Sequence, residues 1–489
     1  MKVVFTSLLL FICSVFLSAQ SIESIKADRQ NYIWGEGKGT TLKKADNEAL
    51  AMLINQISTE VESNFTMLRD EQQQNGESAY SETVHSVVNT YSNASLKNTE
   101  RIVVSNEPDA QVFRYIKRSE LSKIFEAREQ KILGFAANGQ TALKNLQIAD
   151  ALRYFYWSLT LLRSHPDGNN ISITAPDGSQ QLLATWLPFQ IQNIMTGIET
   201  QIVKVDKLPG YTQALLNITY NGKPVKNFDY SYWDGQNWSN IVSAKDGIGF
   251  VDLPSSKDEI TEIQLKAEYL FEGEATVDNE LRDVMEKIDP VPFKNAYFKT
   301  GKPGASPNVS ENVTKEPEIA ITPVSSTAVY EGIIKQICTA INTNNYASVS
   351  GLFTTEGFTI FKQLVQYGKS RVLSCDNLQY MKYGDKTVCR SLRMSFSFTN
   401  NTKSFVEDMV IAFDANNKIC DLTLGLGQTA IQDILKQEAW SENVRLTLID
   451  FMEHYKTAFA LKRLDYVRSI FSDDALIITG WVTKVKPSA

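Results

Sequence analysis

Few residues in this chain of 489 have the type and spacing that chemistry requires. Histidine occurs only at His85, His165 and His454. Asp450 and His454 stand one helical turn apart, a spacing at which a carboxylate and an imidazole can share a metal ion or a proton. The apolar stripe of that segment runs through Val444, Leu448, Phe451, Tyr455 and Ala458, which puts Asp450 and His454 at its margin. Cys375, Tyr380 and Cys389 form a second group, with no base among them. Tyr230, Tyr232, Trp233 and Trp238 crowd one short stretch. Such rings make a sugar-binding platform, and they equally fill the core of a β-sandwich. The candidate ligand-binding residues are therefore Tyr230, Tyr232, Trp233, Trp238 and Tyr380. The chain has no GxSxG, HExxH, phosphate loop or paired-carboxylate spacing. No catalytic set, cofactor or metal ligand is expected, and the chain does not read as an enzyme.

Composition narrows the function classes further. Lys2, an apolar run from Val3 to Leu17, and Ser18-Ala19-Gln20 read as an export signal spanning 1–19, cut after Ala19. The run is too short to span a membrane. Cys13 lies inside it without small residues before it, so lipidation is not expected. These features predict a periplasmic or outer-membrane-associated protein with no transmembrane span. The net charge of −7 is spread along the chain and offers no basic face for nucleic acid. Cys338, Cys375, Cys389 and Cys420 permit three disulfide pairings. Without CxxC spacing, and with Cys338 on an apolar helix face, buried free thiols are the favoured state.

The elements that must position these residues begin with Tyr32 to Val61. Gly35, Gly37 and Gly39 alternate along a strand and so bare one face of it to close approach. Thr40 and Thr41 can cap the helix that follows, which buries Leu42, Ala45, Ala49, Leu53, Ile57 and Val61. The glycine spacing does not suit a phosphate loop. This pattern, an aromatic-Gly-x-Gly turn into A-x3-A-x3-L-x3-I in an exported chain, resembles the LPP lipoprotein family of bacterial envelopes. The resemblance implies a small α/β domain with no known chemistry, over 20–132. That family is often lipid-anchored, and this chain departs from it there.

Beyond it, strands are expected at Arg101–Ser105 and Ala110–Lys117, and helices through Val84–Tyr91, from Ser119, and at Pro188–Ile198. The run ADALRYFYWSLTLLRSHPDG resembles the second helix of a tetratricopeptide repeat and marks a helical, TPR-like segment over 133–200. From 201 to 280 the period falls to two, with turns at Asn221-Gly222 and Asp246-Gly247, which predicts an immunoglobulin-like β-sandwich. A connector and Pro-rich linker, 281–326, follow.

The last third repeats itself. Shifted by 118 residues, Ala340, Val349, Leu352, Phe353 and Ile360 fall on Ala458, Val467, Ile470, Phe471 and Ile478. Helices leading into a curved antiparallel sheet resemble the nuclear-transport-factor-two-like cone, also called cystatin/ketosteroid-isomerase-like. This implies one cone domain at 327–430 and an incomplete second at 441–489, truncated or completed by another chain. The fold class expected is multidomain α+β: an N-terminal α/β domain, a helical segment, a β-sandwich and tandem cones. The function expected is non-catalytic binding or scaffolding of other envelope proteins. The alternatives are carriage of a small apolar ligand in the first cone, and a cone-fold hydrolase or isomerase.

Overall fold

The computed structural model describes residues 21–62, 87, 99–175, 178–208, 210–254, 260, 262–301, 327–376, 378–383, 386–398 and 402–471. The export signal, His85, the helical stretch around Val84–Tyr91 apart from Val87, the linker from 302 and the end of the second repeat copy lie outside them. The architecture is α+β, with helices set beside a curled, many-stranded and largely antiparallel sheet. Among the described residues no helix is long and apolar enough to cross a membrane. The chain folds as two compact units, Met1–Leu133 with Ser158–Thr185 and Glu272–Asp289, and Gly134–Trp157 with Trp186–Phe271 and Pro290–Ala489.

In the first unit, α1 (Ile22–Ala27) is capped by Ser21, whose Oγ accepts from Ser24 N. Then come β1 (Tyr32–Gly39), α2 (Leu42–Glu62), β2 (Glu100–Ser105) and β3 (Ala110–Lys117), with the strands ordered β1-β3-β2 and antiparallel. The alternate glycines do what their spacing predicts. A Cβ at Gly37 would lie 2.0 Å from the Ala45 carbonyl oxygen, and one at Gly35 2.2 Å from that of Ala49. Helix and strand therefore meet backbone to backbone. Thr41 Oγ1 accepts from Lys44 N, and Ala45, Ala49, Leu53 and Ile57 are buried as expected. Arg114 grips Asp46 with Nε and Nη2 at 2.7 and 2.9 Å, tying α2 to the central strand. On the other face of the sheet Tyr32, Phe113, Tyr115 and Ile25 form a small core.

Two long helices follow, α3 (Arg118–Lys144) and α4 (Ile148–Arg163). In the first unit the fully buried Arg128 pairs with Glu280, from the short helix Asn279–Met285, and donates to Ser164 Oγ at 3.1 Å. Lys131 reaches Asp278 and Glu280 at 2.8 and 2.6 Å. A hairpin of β4 (Ser172–Thr174) and β5 (Gln180–Leu182) completes this unit.

In the second unit Gly139 of α3 leaves room for the Phe155 ring of α4, and Phe135 packs edge-on against Trp157. Helix α5 (Leu183–Gly197) starts five residues earlier than the sequence suggests, so Pro188 lies inside it rather than in its first turn. The strands then run β6 (Ile198–Leu208), β7 (Tyr211–Tyr220), β8 (Lys223–Pro224), β9 (Asn227–Tyr232), β10 (Ile241–Lys245), β11 (Ile248–Pro254), β12 (Glu262–Ala267) and β13 (Tyr297–Gly301). Their order is β13-β12-β9-β10-β11-β7-β6. Asn221-Gly222 and Asp246-Gly247 turn the chain with positive φ at all four residues, as those dipeptides favour. Thr300, within the 281–326 span that the sequence assigns to connector and linker, is buried in β13.

The remainder of this unit holds α6 (Ala328–Asn342), α7 (Thr355–Lys362), β14 (Arg371–Ser374), β15 (Gln379–Tyr383), β16 (Lys386–Phe396), β17 (Lys403–Phe413), β18 (Ile419–Leu424), α8 (Gln428–Leu435), α9 (Glu442–Ala460) and α10 (Leu464–Ser469). A bulge between Cys389 and Leu392, with Ser391 at φ 69°, bends β16 and helps to curl the sheet. Its inner face and α6 enclose Cys389, Leu392, Met394, Phe396, Met409, Ile411 and Phe413, all fully buried.

The two groups of strands are one sheet. Strand β17 pairs with β16 along its length, and its N-terminal end also pairs in parallel with β10, Ile241 opposite Lys403 and Ser243 opposite Phe405. Ion pairs bolt the seam: Lys403 to Asp229 at 2.9 Å, Lys245 to Glu407 at 2.5 Å and Arg371 to Asp252 at 2.7 Å.

Candidate functional site

The strongest candidate lies in the second unit, where β7 and β14 approach the end of α6. A groove of about 660 Å³ opens there, lined by Tyr211, Asn342, Asn344, Gln366, Lys369 and Arg371 among others. The Arg371 guanidinium carbon sits over the Tyr211 ring, 3.8 Å from its centre, while Nη1 holds Asp252. Burial pushes the Asp252 carboxyl up, and Arg371 and the Gln213 amide oppose it. Burial likewise raises the Tyr211 hydroxyl.

Two helix ends build the groove floor. Helix α6 stops with Asn344 at φ 54°, and Asn345 N returns to the Ala340 carbonyl at 2.9 Å. The π-helical turn Gln363–Tyr367 stops in the same way, with Lys369 at φ 45° and Ser370 N bonded to Val365 O at 3.1 Å. Asn is tolerated in this left-handed stop, whereas Lys holds it at a cost of about 1 kcal/mol. The sequence does not show the second stop, because glycine, the usual signal, is displaced by one residue to Gly368. The lining consists of amides, hydroxyls, apolar side chains and two cations. Among the described residues that line the groove there is no histidine, cysteine, aspartate or glutamate.

The aromatic stretch is divided by the fold. Tyr230 is wholly buried, and its hydroxyl donates to Phe250 O and accepts from Phe250 N, both at 2.8 Å. Burial pushes Tyr232 up to about 12. Trp233 and Trp238 stay at the surface, edge-on at 5.7 Å, and Tyr297 of β13 adds a third exposed ring 5.7 Å from Trp238. Tyr297 was beyond sequence reasoning, since only the β12–β13 pairing brings it there.

Tyr380 stands opposite Cys389 in the β15–β16 ladder. Burial, with the Cys389 thiol beside its hydroxyl, drives its pKa well up. Cys338 and Cys389 are buried free thiols, each pushed up to about 12 by burial, and so are poor nucleophiles. Cys375 is exposed and Cys420 half-buried, both free.

Asp450 and His454 do approach one another, His454 Nδ1 lying 3.5 Å from Asp450 Oδ2. His454 Nδ1 bonds the Asp450 carbonyl at 2.8 Å, and Nε2 bonds Asp421 at 2.6 Å. The buried stripe of α9 is Ile449, Glu453, Thr457 and Ala458, while Val444 and Phe451 are exposed. The expected stripe is corrected because α9 packs on a polar sheet face. Arg390 takes both Glu453 oxygens at 2.6 and 2.9 Å, Leu426 N donates to Glu453, Leu424 N donates to Thr457, and Lys456 bonds Glu407. This is a structural latch. No group of three or more His, Cys, Asp or Glu poised for a metal occurs among the described residues.

Compared with known proteins, the chain matches no family model, no curated protein and no solved structure.

Proposed function

We propose that this chain is a non-catalytic binding protein of the bacterial envelope, and that the groove between β7, β14 and the end of α6 holds a polar, acidic segment of another envelope protein. The observation that carries this reading is the groove's lining. Amides and hydroxyls supply hydrogen bonds, Lys369 and Arg371 supply positive charge, and among the described residues no histidine, cysteine, aspartate or glutamate lines it. The finer domain reading goes with it in part: an LPP-like domain, a TPR-like helix pair and a cone followed by part of a second, with the strands expected to form an immunoglobulin-like sandwich joined to the cone in one sheet. The curled sheet with its bulge supports the cone. The fully buried Phe, Met and Ile side chains inside it leave the apolar-carrier reading without support.

Native mass spectrometry on the protein purified from its host's envelope fraction tests the proposal. The expected result is a stoichiometric protein adduct that Lys369→Glu abolishes while the fold is kept. An adduct of a few hundred daltons, or a protein adduct indifferent to Lys369→Glu, contradicts it.

A further inference from the structure

One stripe of α6 runs through Tyr330, Ile334, Cys338 and Asn342, spaced by four. It lies along the segment that leads from β14 to β15, and two contacts fix the alignment. At one end Asn342 Oδ1 accepts from Val372 N at 3.2 Å. At the other the Tyr330 ring stacks on Tyr380, 6.0 Å between centres. Cys338 and Cys375 both fall between these anchors. Cys338 is one helical turn, about 5.4 Å, from Asn342, and Cys375 is three residues, at most about 10 Å, from Val372. The helix and the segment run in opposite directions, so both steps lead the same way. A turn holds Cys375 in place: Ser374 Oγ donates to Asp376 Oδ2 at 3.0 Å and accepts from Asp376 N at 3.1 Å. The thiols themselves report the approach. Burial pushes Cys338 up, and Cys375 adds more to that rise than Cys389 does. Both Cys338 and Cys375 are free in the structure.

We propose that Cys338 and Cys375 are a disulfide-forming pair, closing a covalent staple between α6 and the end of β14 when an external disulfide is supplied. The other thiols are placed apart from it. Cys389 is wholly buried in β16 opposite Tyr380, and Cys420 Sγ donates to Ala412 O at 3.5 Å. Cys375 is exposed and so meets the external disulfide first. Its thiolate attacks one sulfur, that S–S bond breaks, and one external thiolate leaves. Cys338 then gives its proton to water and attacks the Cys375 sulfur, expelling the second external thiolate. Two protein thiols have become one disulfide, and the external disulfide has been reduced to two thiols. A raised thiol such as Cys338 is a weak attacker, but this second step is intramolecular, which compensates. Asn342 and Arg371 line the groove of this unit, and the staple ties together the elements that carry them. The bond itself does not depend on what the groove holds.

Disulfide mapping on the full chain tests it. The protein is purified reduced, equilibrated with oxidised glutathione, quenched with a thiol-blocking reagent and digested with trypsin. The lysines and arginines place Cys338, Cys375, Cys389 and Cys420 on separate tryptic peptides. The Cys338 and Cys375 peptides are expected to be joined, less two hydrogens, with Cys389 and Cys420 recovered as blocked thiols. Cys338→Ser is expected to leave Cys375 carrying one glutathione. The bonded wild type is expected to melt several degrees above the reduced one, and added reductant to reverse the rise. A peptide joining Cys338 to Cys389 overturns the proposal. So does a wild type in which Cys375 keeps its glutathione, or in which every thiol stays free while thermal melting shows the protein folded. A melting temperature that oxidation leaves unchanged or lowers also overturns it, because the bond would then not fit the native fold.

Discussion

Gly37 and Gly134 make opposite demands on the same substitution. A methyl group at Gly37 would sit 2.0 Å from one backbone atom and 2.3 Å from another, and neither can yield without moving α2 off β1. Gly37→Ala is expected to destabilise by about 3 kcal/mol or more. Gly134, within α3, has nothing within 4 Å of its would-be Cβ, so Gly134→Ala is expected to stabilise by up to about 1 kcal/mol. Urea unfolding of both variants checks the pair, and equal effects would contradict the packing described. The first of these sites was legible in sequence because alternate glycines before an Ala-rich helix have few other uses. His454 was legible as a residue but not as a partner. Asp421 holds its imidazole protonated and pushes its pKa up to about 9, while the same bond lowers Asp421. A raised histidine stabilises fully below its unfolded value near 6.5 and loses that contribution as pH rises through about 9. The lowered carboxyl works the other way, its contribution being present above the ordinary Asp value and lost as pH falls through the folded one. Proton NMR of the imidazole is expected to show titration near 9 in the wild type and near the ordinary value in Asp421→Asn. An ordinary value in both would dispose of the pair.

At the scale of elements, turns, strands and the buried face of α2 were readable, and the buried face of α9 was not. Asn221-Gly222 and Asp246-Gly247 turn where their dipeptides say they should. Helix α9 was misread because hydrophobicity decides a buried face only when the opposing surface is apolar. Here the opposing face presents Arg390, Asp421 and Glu407, so the helix turned its Glu453 and Thr457 inward. The repeat sharpens the contrast. Ile334 and Ile341 of α6 are 0 % and 1 % exposed, whereas Met452 and Phe459, each 118 residues on, are 37 % and 70 % exposed. The Arg390–Glu453 pair is the core of the latch, with side chains 10 % and 3 % exposed. Glu453→Gln leaves a buried guanidinium facing a neutral partner and is expected to destabilise by about 3–5 kcal/mol. The double change Arg390→Met with Glu453→Leu is expected to recover most of that loss, since an apolar pair avoids the desolvation both ions undergo. Equal losses in single and double variants, measured by urea unfolding, would mean that α9 is held chiefly by something else.

At the scale of the second unit, the decisive feature left no local trace in the chain. Strands β10 and β17 lie some 160 residues apart and pair in parallel, so neither a turn nor a shared period announces them. Read separately, the two stretches suggest two domains; paired, they make one sheet. Its seam carries Lys403–Asp229, Lys245–Glu407 and Arg371–Asp252, and Arg371 also walls the groove. The binding surface proposed for this unit thus depends on the seam. Native-state hydrogen exchange read by mass spectrometry on the full chain tests this most directly, at 241–245 and 403–405. The account expects both segments to be protected to a similar extent and to open together. It also expects Ser404→Pro to release both at once, by removing a backbone donor at the seam. If 241–245 instead exchanges independently of 403–405, or Ser404→Pro leaves it protected, then the strands form two separate sheets and the groove between them is not a fixed site.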